Sequence, residues 1–361
     1  MRQLKNFLKK RIDRFREAYF SEGMDGFIIE DPTDLLYLTG LKVSRGRLLI
    51  SRESACLFVD GRYQAVAKKE AYVPVKELNA NELSAVLAHL PEASVFGYDT
   101  ALSMAAYRSL RPLFAKAGKK LKGVDDPTLK LRAIKDSNEL GLLKKSADLL
   151  WKGFKHVQKT LVTGIRERDL AFEFEQYVKK NGAEGLAFDP IIAFGKNSAF
   201  PHHHTGDRAL KEGEVVLIDI GVMLGGYASD LTRVLFWGQV SKRIESMFEK
   251  VDQAYRAALK ECRAGNEAFK LDRAAREAFG EDRKYFVHSL GHGVGLNVHE
   301  YPRIAFDSKR VKLEEGMVIT IEPGLYIPEV GGIRYEDMVV VTKEGYENFF
   351  EKTTPFLTYT G

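Results

Sequence analysis

Residues 215–236, VVLIDIGVMLGGYASDLTRVLF, constrain this chain more than any other stretch. Two apolar, β-branched runs flank a Leu224-Gly225-Gly226 turn signal. Each run carries one aspartate where a buried strand should tolerate none. A hairpin centred between Leu224 and Gly225 sets Asp219 directly opposite Asp230 on one face, with Cβ atoms about 5 Å apart. Like charges that close repel, and one pKa rises unless a cation sits between them. A surface hairpin with two solvated aspartates is the competing reading of the segment taken alone.

An internal repeat weighs against that reading. Residues 210–221 read LKEGEVVLIDIG and residues 313–324 read LEEGMVITIEPG, identical at six of twelve positions with an offset of 103. Asp219 falls on Glu322. The second copy turns back through residues 328–332 and returns as GIRYEDMVVV, so a hairpin symmetric about Glu329 opposes Glu322 to Glu336. Between the copies lie SLGHGVG and NVHE, in which Gly291, Gly293 and Gly295 alternate around His292. Glycines so spaced let backbone and ligand approach closely. The spacing is neither the dinucleotide nor the P-loop fingerprint. A lone histidine in a turn is commonly structural, but beside four candidate acids it reads as a ligand. Four carboxylates carry −4 and two divalent cations +4, so together they can be buried nearly neutral. Oxygen-rich ligation with one imidazole and no thiolate suits Mn²⁺, Mg²⁺ or Co²⁺ better than a structural zinc site. Paired metals roughly 3.5–4 Å apart are a recurring hydrolytic device.

Asp219 in IDIG, Asp230 in SDLTR, His292 in GHGVG, Glu322 in IEPG and Glu336 in RYED resemble, in order and context, the five metal ligands of the Xaa-Pro peptidases, aminopeptidase P and prolidase. The resemblance spans essentially the whole chain and is strongest over residues 187–341. It implies an α/β (α+β) protein with a small N-terminal creatinase-like α/β domain. A C-terminal pita-bread catalytic domain with a pseudo-twofold repeat follows, and the two are expected at residues 1–126 and 127–361. It implies two divalent metal ions, with Mn²⁺ first and Co²⁺ or Zn²⁺ as alternatives. It also implies a proline-containing peptide substrate, a homodimer and a cytoplasmic location. His202, after Pro201 and seventeen residues before Asp219, matches the family histidine near the reacting carbonyl. His299 matches a second histidine at substrate, and Glu322 doubles as proton shuttle. Arg303 and Arg334 fall where relatives have arginines, and are expected to bind substrate. Adjacent side chains on an extended strand alternate faces, so His203 and His204 read as surface or rim residues. The family signature near Asp34 usually carries asparagine there.

Xaa-Pro aminopeptidase is the first functional reading and Xaa-Pro dipeptidase the alternative. The complete quintet argues against creatinase-like hydrolysis and against a non-enzymatic binding protein. Methionine aminopeptidase shares the ligands but normally lacks the N-terminal domain.

The rest of the chain sets bounds. Balanced totals of 55 basic and 50 acidic residues, with no aromatic-studded basic patch, give no support to a nucleic-acid partner. Cys56 and Cys262 are the only cysteines and make no disulfide framework. No apolar run approaches the roughly 20 residues of a membrane span. Leu4, Leu8, Ile12, Phe15 and Tyr19 mark an amphipathic N-terminal helix, expected to pack on its own domain. The stretches GFIIE, RLLIS, ACLFVD and SVFGYD read as strands. Asp136 with Glu139 reads as a capping box opening a long helix. Further helices are expected near residues 167–180 and, as a pair, within 241–279; residues 285–290 are expected to be a strand delivering His292.

Overall fold

The computed structural model describes residues 2–350 together with 358 and 359. The chain divides into two compact units, Met1–Arg132 and Ala133–Gly361.

The first unit is a six-stranded mixed sheet. Its spatial order is Val75–Glu77, Ala55–Val59, Gly46–Ser51, Gly26–Ile29, Val95–Asp99 and Lys120–Val124. The four central strands are those the apolar runs predict. The two edge strands were not foreseen, because VKE and KLKGV carry the lysines that blunt an edge. The N-terminal helix Arg2–Phe20 buries Leu8, Ile12 and Phe15, with the Phe15 ring 5.0 Å from that of Phe27. It packs on its own unit, as expected. The signature segment forms a helix, Pro32–Thr39, capped by Asp31 at its start and by left-handed Gly40 at its end. Asp34 on that helix accepts hydrogen bonds from Thr128 and from Arg132 Nη1. Burial pushes its carboxyl up to about 6 against the pull of both partners. A carboxylate there demands a buried cation that asparagine would not. Arg132 supplies it and ties residues 128–132 to this unit.

The second unit repeats one motif twice. Helices Ser137–Thr160 and Glu167–Lys180 precede the hairpin Glu214–Leu224 and Tyr227–Trp237. Helices Lys242–Glu261 and Ala268–Phe279 precede the strands Val318–Ile321, Gly324–Ile327, Gly331–Arg334 and Asp337–Val341. The capping box is formed, with Asp136 accepting from Glu139 N and Glu139 returning the bond. Each helix pair packs its apolar stripe onto the strands, as Ala254, Tyr255 and Ala258 do against Ile319 and Val339. One bridge, Thr232↔Glu336, joins the two sheets at their centre. This is the expected pita-bread architecture: strands inside, helices outside, acids at the seam.

Residues 285–290 correct one expectation, because the only strand there is Gly291–Gly293. The guanidinium of Arg276 takes the carbonyls of Phe286 and His288 at 3.0 and 2.7 Å, where a strand partner would otherwise bond. The apolar spacing of Phe286 and Leu290 reflects burial without pairing.

Candidate metal centre

Glycine chemistry sets the register of the first hairpin. Gly225 and Gly226 both have positive φ, +61° and +80°, and form a two-residue turn between paired Leu224 and Tyr227. Leu224 cannot adopt such a φ cheaply, so the turn centre lies one residue later than expected. Asp219 therefore opposes Thr232, and Asp230 opposes Gly221. A one-residue shift of the centre moves each partner by two, which preserves the face. The aspartates are diagonal neighbours on one face instead of directly opposed, with roughly 7 Å between them. In the second half the register is as expected. Ile321 pairs with Asp337 and Gly324 with Arg334, so Glu322 and Glu336 fall opposite each other between the two ladders.

The seam brings the acids to one imidazole. Asp230, His292 and Glu336 each offer a ligand atom within 4.8 Å of the others. His292 Nε2 lies 3.4 Å from Glu322 Oε1 and 3.7 Å from Asp230 Oδ2. Its Nδ1 is 3.0 Å from the Gly293 carbonyl, which can only accept, so Nδ1 holds the proton and Nε2 turns a lone pair to the acids. Burial, then the His299 charge, holds the His292 pKa down at about 4, which keeps the ring neutral. Burial, then the neighbouring acids, pushes Asp230 and Glu322 well above the usual carboxylate range. Glu336 rises to about 8, by burial first and the Asp219 charge next. Asp219 Oδ1, Asp230 Oδ1 and Glu336 Oε1 are buried and have no hydrogen-bond partner among the described residues. Bare carboxylate oxygens pointing into a set of like charges are costly unless a cation meets them. The residues fit divalent metal: hard oxygen donors, one neutral imidazole and unspent lone pairs.

The remaining contacts orient these donors. Arg334 is buried and reaches Asp219 Oδ2 at 2.5 Å, Tyr326 Oη at 2.7 Å and Thr232 Oγ1 at 3.0 Å. Although it lies two residues from Glu336 of the second acid pair, its ion pair is with Asp219 of the first. Thr232 donates to Glu336 Oε2 at 2.6 Å, and Thr320 donates to Glu322 Oε1 at 3.3 Å. His288 Nε2 lies 2.9 Å from Tyr326 Oη. Sequence reasoning missed Thr232, Thr320, Tyr326 and His288. Thr232 and Thr320 each sit two residues from a ligand along a strand, on the same face, and that periodicity was the available signal.

His202 is exposed. Burial, then the Arg334 charge, holds the His288 pKa down at about 3, and burial lowers that of His299. The His299 ring is 4.3 Å from that of His292, edge to face. Arg303 pairs across the strands with His292, but its exposed guanidinium binds Asp307 at 3.0–3.1 Å. His203 is no surface residue: its Nε2 lies 2.8 Å from the buried carboxylate of Glu167.

The alternating glycines allow the close backbone approach expected of them. A Cβ on Gly291 would lie 2.0 Å from the Thr320 carbonyl oxygen, and one on Gly293 2.2 Å from that of Tyr301. At Gly291 and Gly293 it is the backbone of the neighbouring strands that comes close.

The sequence profile of Metallopeptidase family M24 matches residues 141–343, and that of the Creatinase/Prolidase N-terminal domain matches residues 11–134. The chain belongs to metallopeptidase family M24. Similarity to an Xaa-Pro dipeptidase of Pyrococcus furiosus runs at 34% identity over 342 residues, 94% of this chain and 97% of that one. A crystal structure of an X-Pro aminopeptidase from Thermotoga maritima superposes with TM-score 0.88 at 31% identity, covering 93% and 98% of the two chains. An Xaa-Pro dipeptidase from Bacillus anthracis superposes with TM-score 0.92 at 29% identity, covering 98% and 100%. No helix among the described residues of this M24 enzyme is long and apolar enough to cross a membrane.

Proposed function

We propose that the chain is an Xaa-Pro dipeptidase whose five-residue centre, Asp219, Asp230, His292, Glu322 and Glu336, holds two divalent cations. The observation that carries the reading is the convergence of Asp230, Glu336 and the Nε2 of His292, with bare oxygens left on the acids. The first functional reading from the sequence, aminopeptidase, gives way to the dipeptidase because near full-length relatives carry that name. The oxygen-rich donor set favours Mn²⁺.

When bound, the cations lower the pKa of a water toward neutrality and polarise the scissile carbonyl. The protein's own groups do the rest. Asp230 and Glu336 face each other across the seam and clamp the centre from both halves. Arg334 fixes the carboxylate of Asp219 and offsets one of the four negative charges. The Glu322 carboxylate, held by Thr320, accepts the proton that the attacking water loses. It then passes the proton to the proline nitrogen, a tertiary amide that must be protonated to leave. His202 and His299 donate to the oxyanion that develops on the carbonyl. Arg303 exchanges its exposed pair with Asp307 for the free carboxylate of the dipeptide, a charge-assisted contact.

The test is kinetic. With Mn²⁺, kcat/KM for Ala-Pro should exceed that for Ala-Pro-Ala-Ala, and Arg303→Ala should remove the preference. Preference for the longer peptide would make the enzyme an aminopeptidase, the reading that the Thermotoga maritima structure supports. Cleavage of neither peptide would refute proline specificity.

A further inference from the structure

His202 must be held by its backbone, since among the described residues no hydrogen bond or ion pair fixes its exposed imidazole. The loop that carries it, residues 195–206, is fastened from two sides. On the side of the metal centre, Ser198 Oγ donates to Gly195 O at 2.6 Å and accepts from Gly332 N at 2.7 Å. Arg334 Nη1 lies 3.5 Å from Pro201 O. On the other side stands Glu167, in the first turn of helix Glu167–Lys180, with its side chain wholly buried. Its Oε1 accepts from Phe194 N at 2.9 Å and Asn197 Nδ2 at 2.8 Å. Its Oε2 accepts from His203 Nε2 at 2.8 Å and Gly206 N at 3.1 Å. Four donors from both ends and the middle of one loop thus converge on a single carboxylate.

Three of those donors hold the loop ends. The fourth, His203, is the one adjacent to His202. His203 N donates to Phe200 O at 3.1 Å, closing a turn with Pro201 and His202 at its two central positions. Anchoring the His203 imidazole on Glu167 fixes the foot of that turn, while Arg334 Nη1, 3.5 Å from Pro201 O, holds its crest beside the metal centre. We propose that His203 and Glu167 form a positioning pair that aims His202 at the reacting carbonyl. Neither touches substrate. The pair acts only through His202, so this inference rests on the role given to His202 above. It also accounts for the run of three histidines: the outward one works, the inward one aims it, and His204 faces solvent.

A double-mutant cycle on the metal-loaded full-length enzyme tests the pair, with Ala-Pro hydrolysis, Mn²⁺ affinity and thermal unfolding measured on each variant. His202→Ala should lower kcat roughly 10²–10³-fold, the loss expected for an oxyanion donor. His203→Ala should lower kcat about 10-fold or more with Mn²⁺ affinity held, and it should stay fully folded at the assay temperature although the lost bond to buried Glu167 lowers its melting temperature. The double variant should be no slower than His202→Ala alone, because a misaimed group that is already gone cannot be lost again. His203→Gln, which restores a donor to Glu167, should recover most of the rate, and Glu167→Gln should behave like His203→Ala. Multiplicative losses in the double variant, or loss of rate that tracks loss of metal or of folded protein at the assay temperature, would overturn the proposal. So would full activity of His203→Ala beside a crippled His202→Ala, which would leave the reading of the centre intact. A fully active His202→Ala would remove the role of His202 and this proposal with it.

Discussion

Thr232→Val tests whether the orientation of Glu336 governs metal binding. Thr232 is fully buried, and its hydroxyl does two things at once. It donates to Glu336 Oε2 at 2.6 Å and accepts from Arg334 Nε at 3.0 Å. Valine keeps the β-branched shape and removes both contacts. A hydrogen bond to a charged group contributes about 1.5–3 kcal/mol, and it favours the ionised carboxylate over the protonated one. Its loss therefore raises the Glu336 pKa further above the already elevated value of about 8. At pH 7 the proton then competes harder with the cation. Since about 1.4 kcal/mol is tenfold, Mn²⁺ affinity should fall roughly 10- to 100-fold. Calorimetric titration of the metal-free variant with Mn²⁺ at pH 7 measures this directly. The deficit should shrink as the pH rises from 7 to 9, because Glu336 of the parent is then already ionised while the variant's is only beginning to lose its proton. An affinity within twofold of the parent at pH 7 would refute the reasoning.

Metal-free protein should lose stability between pH 6.5 and 8. In that window the unfolded chain has released the Glu336 proton while the folded centre, raised to about 8, still holds it, so folding binds protons and rising pH opposes it. His288 and His292, lowered to about 3 and 4, gain stability with rising pH only up to their ordinary 6.5. Above 6.5 they no longer offset the acids, and the loss should be about 2 kcal/mol per retained proton. Denaturant unfolding at several pH values checks it; saturating Mn²⁺ should flatten the profile, and a metal-free profile that rises would contradict it. Gly291→Ala should lower the melting temperature and cost about 100-fold in rate, because its Cβ meets the Thr320 carbonyl at 2.0 Å and the strand carrying His292 must shift. Gly141→Ala, in the long helix with nothing within 4 Å, should raise stability by roughly 0.5–1 kcal/mol. Asp230→Ala and Glu336→Ala should each abolish turnover at stoichiometric metal with the secondary structure retained by circular dichroism.

The sequence makes the centre legible because burial leaves no ordinary reason for a carboxylate in an apolar strand. Asp219, Asp230, Glu322 and Glu336 are conspicuous on that ground alone, and the 103-residue repeat pairs them. Face survives a small error of register, as the first hairpin shows: the partner of Asp219 changed from Asp230 to Thr232, yet both aspartates stay on one side. What stays hidden is whatever depends on long-range side-chain contacts. Arg276, ten to twelve residues before the carbonyls it captures, dissolves a strand that local apolar spacing predicts. Glu167 turns His203 from a rim residue into a half-buried anchor from thirty-six residues away. The glycines around His292 are legible as sites of close approach, but not what approaches them.

The claim that carries the account is that five residues from two halves of one repeat hold two divalent cations. Crystals grown with Mn²⁺ and measured near its absorption edge test that claim most directly. The account predicts two anomalous peaks between the paired strands, bounded by Asp219, Asp230, His292, Glu322 and Glu336, and loss of at least one of them in Glu336→Ala. A single peak at saturating Mn²⁺, or peaks away from these residues, would contradict it.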